Sequence, residues 1–236
     1  ADGSEGEMCG NGAMCGARFA ELIGVAQAEM AFSTMSGIVR ARVDPAHGQV
    51  ELAMPDTGPI QPARTVEVEG VAYELSPIQV GVPHCVLFVE DADTFGSRGH
   101  LERIGRAIRH AEAFAPAGTN VNVVAPLGSN RLRMRTYERG VEAETLACGT
   151  GAVASAVVSA ARGLVQSPVE IIASSGMPLV ASFDLRENGA CTVTLRGQTR
   201  LVMSGSIRPD ALAQEHSWRN EQCRTPKPGD APLSPR

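Results

Sequence analysis

From Arg131 to Thr136 the side chains alternate, with Arg131, Arg133 and Arg135 set against Leu132, Met134 and Thr136. A period of two sends the two sets to opposite faces of an extended chain, so Arg131–Tyr137 predicts a strand buried on one side. Gly149 to Arg162 is instead apolar nearly all round, which predicts a helix wrapped by strands and not lying on a surface. Further strand-like runs fall at Glu29–Thr34, Ile38–Val43, Gln49–Met54, Thr65–Val80, His84–Glu90 and Asn120–Ala125. Beyond the apolar helix come Val169–Ser174, Leu179–Leu185, Cys191–Arg196 and Thr199–Met203. Asp44–Gly48 reads as a hairpin loop, Glu187-Asn188-Gly189 as a turn, and Leu101–His110 as a charged helix.

Two stretches repeat one device. Met8-Cys9-Gly10-Asn11-Gly12 precedes a helical run closed by Gly24, and Ala147-Cys148-Gly149-Thr150-Gly151 precedes a second run closed by Gly163. Glycine takes the left-handed conformation that stops a helix. The repeat predicts two similar units, each a curled antiparallel or mixed strand barrel around a central helix, an α+β class. Pro55–Pro62 reads as the linker between them. The expected division is residues 1–55, with 198–208 returning to that unit as a strand, and residues 56–197. Residues 209–236, Pro-rich toward the end, are expected as a partly disordered extension. The turn-forming start Ala1-Asp2-Gly3-Ser4 suggests a chain whose beginning is missing.

With 236 residues, 43% hydrophobic, the chain can bury one large core or two modest ones. A net charge of −5 gives no electrostatic reason to expect nucleic acid or anionic membrane as a partner. No segment approaches the roughly 20 apolar residues of a membrane helix, and a cytoplasmic location is the default. The cysteines at 15, 85 and 191 are expected as small buried hydrophobes and Cys223 as incidental. No paired Cys or His spacing of the zinc type occurs, so no metal is expected.

The chemistry therefore rests on Cys9 and Cys148. A cysteine at a helix amino end feels unpaired N–H groups and the positive end of the macrodipole, which favour thiolate and attract a carboxylate. Two such ends face to face would hold an anion between two sulfurs. Inverting a carbon beside a carboxylate requires a base on one face and an acid on the other, and thiolate and thiol serve both jobs without a cofactor. The N–H groups of Gly10-Asn11 and Gly149-Thr150 would grip the carboxylate and the charge building on it.

These blocks, together with Gly81-Val82-Pro83-His84, Gly118-Thr119-Asn120-Val121-Asn122 and Glu138-Arg139-Gly140, resemble the diaminopimelate epimerase family, in the family's order over residues 1 to about 207. The resemblance implies a cofactor-independent, two-base interconversion of LL- and meso-2,6-diaminoheptanedioate, in lysine and cell-wall precursor synthesis. It implies Cys9 as the base toward the LL isomer and Cys148 as the acid. Gly10, Asn11, Gly149 and Thr150 resemble the carboxylate-binding helix starts. Asn120, Glu138 and Arg139 resemble substrate contacts, with Arg139 suited to the distal carboxylate. His84 and Glu138 resemble the polar residues that flank the sulfurs. A homodimer is left open.

Val82 stands where many members carry Asn, and the family's amino-terminal strands would lie upstream of Ala1. A poorly active fragment is the expectation. The rival readings are a proline racemase-like isomerase, which would have His where this chain has Asn11, and a redox protein pairing the two cysteines.

Overall fold

A computed structural model describes residues 9–35, 37–186, 191–206 and 208. The starting Ala1-Asp2-Gly3-Ser4, the turn at Glu187-Asn188-Gly189, Cys223 and the extension from 209 onward lie outside the described residues. Contacts divide the chain after Arg200. The described residues of the second unit, 201–206 and 208, form neither helix nor strand.

The first unit is α+β. Its helices are α1 (Gly10–Leu22), α2 (Arg98–Arg109) and α3 (Gly149–Ala161). Its strands are β1 (Glu29–Thr34), β2 (Gly37–Asp44), β3 (Gln49–Met54), β4 (Arg64–Val68), β5 (Val71–Val80) and β6 (Val82–Phe88). There follow β7 (Asn120–Gly128), β8 (Arg131–Glu138), β9 (Ala143–Thr145), β10 (Val169–Ile172), β11 (Pro178–Leu185) and β12 (Cys191–Gln198). They form one mixed sheet in the order β1-β2-β3-β12-β11-β10-β8-β7-β6-β5-β4, with β9 hanging from β8. Only β6 with β7 and β8 with β10 run parallel.

Helix α3 touches β5, β6, β7, β8, β10, β11 and β12, so the sheet curls around it. This is the wrapping that its all-round apolar sequence predicts: Ala152, Val153, Ala154, Ala156, Val157 and Val158 are at most 1% exposed. Small side chains let strands approach from every side, and larger ones from the sheet fill the gaps. Each fully buried Leu or Ile, such as Leu52, Leu132, Ile171 and Leu195, contributes about 1.5–3 kcal/mol relative to exposure. On the outer face α2, amphipathic and capped by Ser97, lays Leu101, Ile104 and Ile108 against Val121, Val123 and Tyr137.

Several expectations change in detail. Thr65–Val80 is two strands and not one, because Glu69 and Gly70 both adopt positive φ and make a tight hairpin turn. The strand that returns to β3 is β12, whose register runs from Val193 against Met54 to Gln198 against Gln49. Thr199–Met203 forms no strand, since β3 already has β2 and β12 on its two edges. Residues 55–63 carry no regular element but are held along β5, Gly58 N–H bonding Gln79 O at 2.8 Å and Gln61 N–H bonding Pro77 O at 3.0 Å. Helix α1 contacts β2, β3 and α3 and buries only Gly10, Met14 and Ala17. Cys15 therefore faces outward and is exposed, not buried as its residue type suggests. Cys85 is fully buried, and burial pushes its thiol up to about 12. The side chain of Cys191 lies outside the described residues.

Candidate active site

The repeated device folds twice into the same local geometry. Cys9 caps α1 at φ −131° and ψ 106°, and Cys148 caps α3 at φ −127° and ψ 111°. Both helices end on a glycine at φ 72°, Gly24 and Gly163, each closed by the same pair of backbone bonds to the last turn. An extended cap residue turns its side chain back over the first-turn N–H groups, which places sulfur at the positive end of each helix.

The two starts meet. A methyl group built on Gly10 would lie 3.9 Å from the Cα of Gly149, and one on Gly149 would lie 3.8 Å from the Cα of Gly10. The same methyl on Gly149 would press on Leu195 of β12 at 2.9 Å. Backbone thus faces backbone with no side chain between. Asn11 Nδ2 reaches across to the carbonyl of Ala147 at 3.4 Å.

The sulfurs differ in setting. Cys9 is exposed, and its Sγ accepts from Gly12 N–H at 3.3 Å. Cys148 is 6% exposed, with Thr150 Oγ1 at 3.6 Å from its sulfur. Burial pushes the Cys148 thiol up to about 11, the Glu138 carboxylate and Cys9 adding to the rise while Thr150 and the Gly151 N–H pull the other way. The helix end alone predicts a thiolate at both positions. At Cys148 desolvation outweighs it and the resting group is a thiol.

Of the other expected residues, Glu138 is tied to Cys148 itself, while Asn120, Arg139 and His84 are linked to one another. Glu138 ends β8 and acts on Cys148 through its charge. Arg139 is half-buried, its N–H bonding Asn120 Oδ1 at 2.8 Å and its Nη1 bonding Ala117 O at 3.0 Å. Asn120 also donates to Pro83 O at 2.9 Å, so its amide is engaged at both ends in fixing the backbone on either side of the site. His84 is 1% exposed; burial, helped by the charge of Arg139, drops its pKa to about 3. Its Nδ1 lies 3.2 Å from Asn122 Nδ2, and its Nε2 is buried with no partner among the described residues.

Arg135 alternates with Leu132, Met134 and Thr136 on a strand that the sequence predicts to be buried on one side only. Arg135 itself is 7% exposed and bidentate to Glu144, with bonds of 2.9 Å to each carboxylate oxygen, and Ser174 Oγ donates to Glu144 at 2.8 Å. The Arg135 guanidinium holds the Glu144 carboxyl below its usual range despite burial. This clamp fixes β9, which delivers the chain into Cys148. Asn122 joins the residues around His84, since Asn120-Val121-Asn122 at strand spacing puts both amides on one face. No cluster of His, Cys, Asp or Glu able to hold a metal occurs among the described residues, and no helix among them is long and apolar enough to cross a membrane.

Comparisons with known proteins converge on one family. The family model described as diaminopimelate epimerase matches residues 77–202. A diaminopimelate epimerase of Aquifex aeolicus is 41% identical over 215 residues, 89% of this chain and 73% of the relative. One of Hydrogenobaculum is 39% identical over 208 residues, 88% of this chain and 72% of the relative. Among solved structures, a probable proline racemase from Agrobacterium radiobacter superposes with a TM-score of 0.65 at 17% identity, covering 86% of this chain and 69% of that one. A PhzC/PhzF-type phenazine biosynthesis protein of Clostridium difficile gives 0.57 at 16%, covering 87% and 75%. These two likenesses speak for the fold.

Proposed function

The chain belongs to the diaminopimelate epimerase family, and from that premise we propose that it interconverts LL- and meso-2,6-diaminoheptanedioate with Cys9 and Cys148 as its two proton carriers. The observation that carries the assignment is the abutment of two cysteine-capped helix starts at Gly10 and Gly149. Its N–H groups offer one carboxylate a double helix terminus, and the α-carbon attached to that carboxylate then falls between the sulfurs.

The Cys9 thiolate takes the α-proton, leaving the electron pair on carbon and spread into the carboxylate. Cys148 delivers its own proton to the opposite face, its S–H bond breaking as the new C–H bond forms. Cys9 then holds the former α-proton and Cys148 has given its own to the product, and exchange with solvent resets the pair. Burial keeps the Cys148 thiol protonated until it acts as the acid. Burial that disfavours the Cys148 thiolate also favours the return of a proton in the reverse direction.

Arg139, whose planar fork matches a carboxylate, takes the distal end of the substrate together with Glu138 and Asn120. The reaction so written uses neither metal nor pyridoxal and belongs in the cytoplasm. The matched cap dihedrals support reading the two cysteine helices as duplicates, one in a unit of residues 1–55 and one in residues 56–197, with β12 of the second unit pairing with β3 of the first.

Deuterium uptake at the α-carbon of LL-diaminoheptanedioate in heavy water tests the assignment. Cys9→Ala and Cys148→Ala should each lose epimerisation by about a hundredfold or more. Full turnover in either would overturn it.

A further inference from the structure

Asn122 is the most tightly determined polar side chain near the site. Its Nδ2 donates to the carbonyl of Cys85 at 3.1 Å, and its Oδ1 accepts from Thr136 Oγ1 at 3.0 Å. A carbonyl can only accept, so the atom facing Cys85 must be the NH2 group and the amide has one orientation. The first turn of α3 closes the remaining side, because a methyl group on Gly151 would collide with Asn122 Oδ1. The second N–H of this amide meets His84 Nδ1 at 3.2 Å. A ring nitrogen that faces an N–H donor must be the acceptor, and the proton of the neutral ring must then sit on Nε2.

We propose that Asn122 is a positioning residue of the site, holding His84 as the Nε2–H tautomer so that the ring presents a hydrogen-bond donor, not a base, to the bound anionic substrate. Two further observations agree. His84 Nε2 is buried without a partner among the described residues, and the cost of a buried donor left unbonded is relieved when a substrate carboxylate oxygen arrives. Burial and the Arg139 charge hold the imidazole neutral, its pKa dropped to about 3. Arg139 is the charged group identified as acting on the ring, and a cation beside it disfavours imidazolium and leaves the donor tautomer untouched. Asn122 also spans two elements, tying β6 to β7 and resting on the helix that Cys148 caps. The orientation of the ring and the start of α3 are therefore set by one amide.

This inference rests on the epimerase reading only for the identity of the anion. Nitrogen-15 NMR of the chain labelled at histidine reads the tautomer directly, with the His84 signals identified by their loss in His84→Gln. The expected result is a neutral ring protonated at Nε2 from about pH 5.5 to about pH 8.5, with the Nε2–H signal moving when meso-diaminoheptanedioate is added. Asn122→Asp places an acceptor opposite Nδ1, and should move the proton there or make the ring a cation. Its kcat should fall about tenfold to a hundredfold with KM little changed. If Asn122→Asp does not fold, Asn122→Ser removes the bond with a smaller side chain and should leave a mixture of tautomers. A wild-type ring protonated at Nδ1, a His84 titration inside that pH window, or unchanged tautomer and turnover in the variants would overturn the proposal. Because the tautomer is read without turnover, a chain that fails to epimerise would count against the function and leave this assignment standing, and the reverse also holds.

Discussion

Helices α1 and α3 begin with the same Cys-Gly-x-Gly device, fold to the same cap angles and stop on the same glycine geometry, yet they lie in opposite environments. α3 is buried along ten of its 13 residues and α1 along three of 13. Phe19, Leu22 and Ile23 of the α1 end are each about half exposed or more, whereas no large apolar side chain of α3 is exposed. The contrast separates two levels of cause. Local sequence sets where the sulfur sits, and the surrounding strands set what that sulfur is, an exposed group at Cys9 and a desolvated thiol at Cys148. The two sulfurs of this chain are therefore unequal in setting.

The largest expected effect tests that inequality itself. Alkylation near pH 8 should modify the exposed Cys9 faster than the buried Cys148, whose thiol, raised from 9.0 to about 11, should react about a hundredfold more slowly than an unshifted one. Mass spectrometry of the digested protein reads both sites, and equal rates would erase the distinction. Next come the equivalent glycines Gly12 and Gly151. A methyl group on Gly12 meets only Cys9 at an ordinary 3.5 Å, while on Gly151 it collides with Asn122 and crowds Cys148. Gly151→Ala should cost about 1–3 kcal/mol in urea unfolding, and Gly12→Ala should be neutral or stabilising by up to about 1 kcal/mol.

A third effect appears in acid. His84 has its folded pKa below the unfolded value of 6.5, so the unfolded chain binds the extra proton and stability present above pH 6.5 is lost as pH falls toward 3. The slope is about 1.4 kcal/mol per pH unit, and His84→Gln should flatten the acid limb of the stability profile by that amount. The smallest effect sharpens the picture at Cys148. Glu138→Gln removes the charge that adds to burial, so the Cys148 thiol should move down, detected as faster alkylation of Cys148 with Cys9 unchanged.

What the sequence disclosed divides along the same line. The two caps, their glycine stops and the strand-wrapped α3 are local or periodic signals, and they were legible from Cys9, Gly24, Cys148, Gly163 and the apolar run after Gly149. The hairpin at Glu69-Gly70 was missed because its positive φ values lie in a pair without the usual Asn or Asp signature. The partner of Arg135 was not legible because alternation reports faces and not partners, and only the fold brings Glu144 to it. Asn122 was passed over for Asn120 for the same reason. Its role depends on Cys85, Thr136 and Gly151, three contacts that no window of sequence contains. The raised thiol of Cys148 likewise follows from burial that strands distant in the chain impose.

Strand β3 closes against β12, a pairing of Gln49–Met54 with residues 193–198. Long loops must be closed before such contacts reward the chain, which makes them slow to form. During synthesis on the ribosome Cys9 emerges long before Leu195, which backs the meeting of the two helix starts, has left the exit tunnel. A site that places one substrate carbon between the two sulfurs has to wait for almost the whole polypeptide, and a chain cut short before that strand would carry both thiols without an enzyme around them.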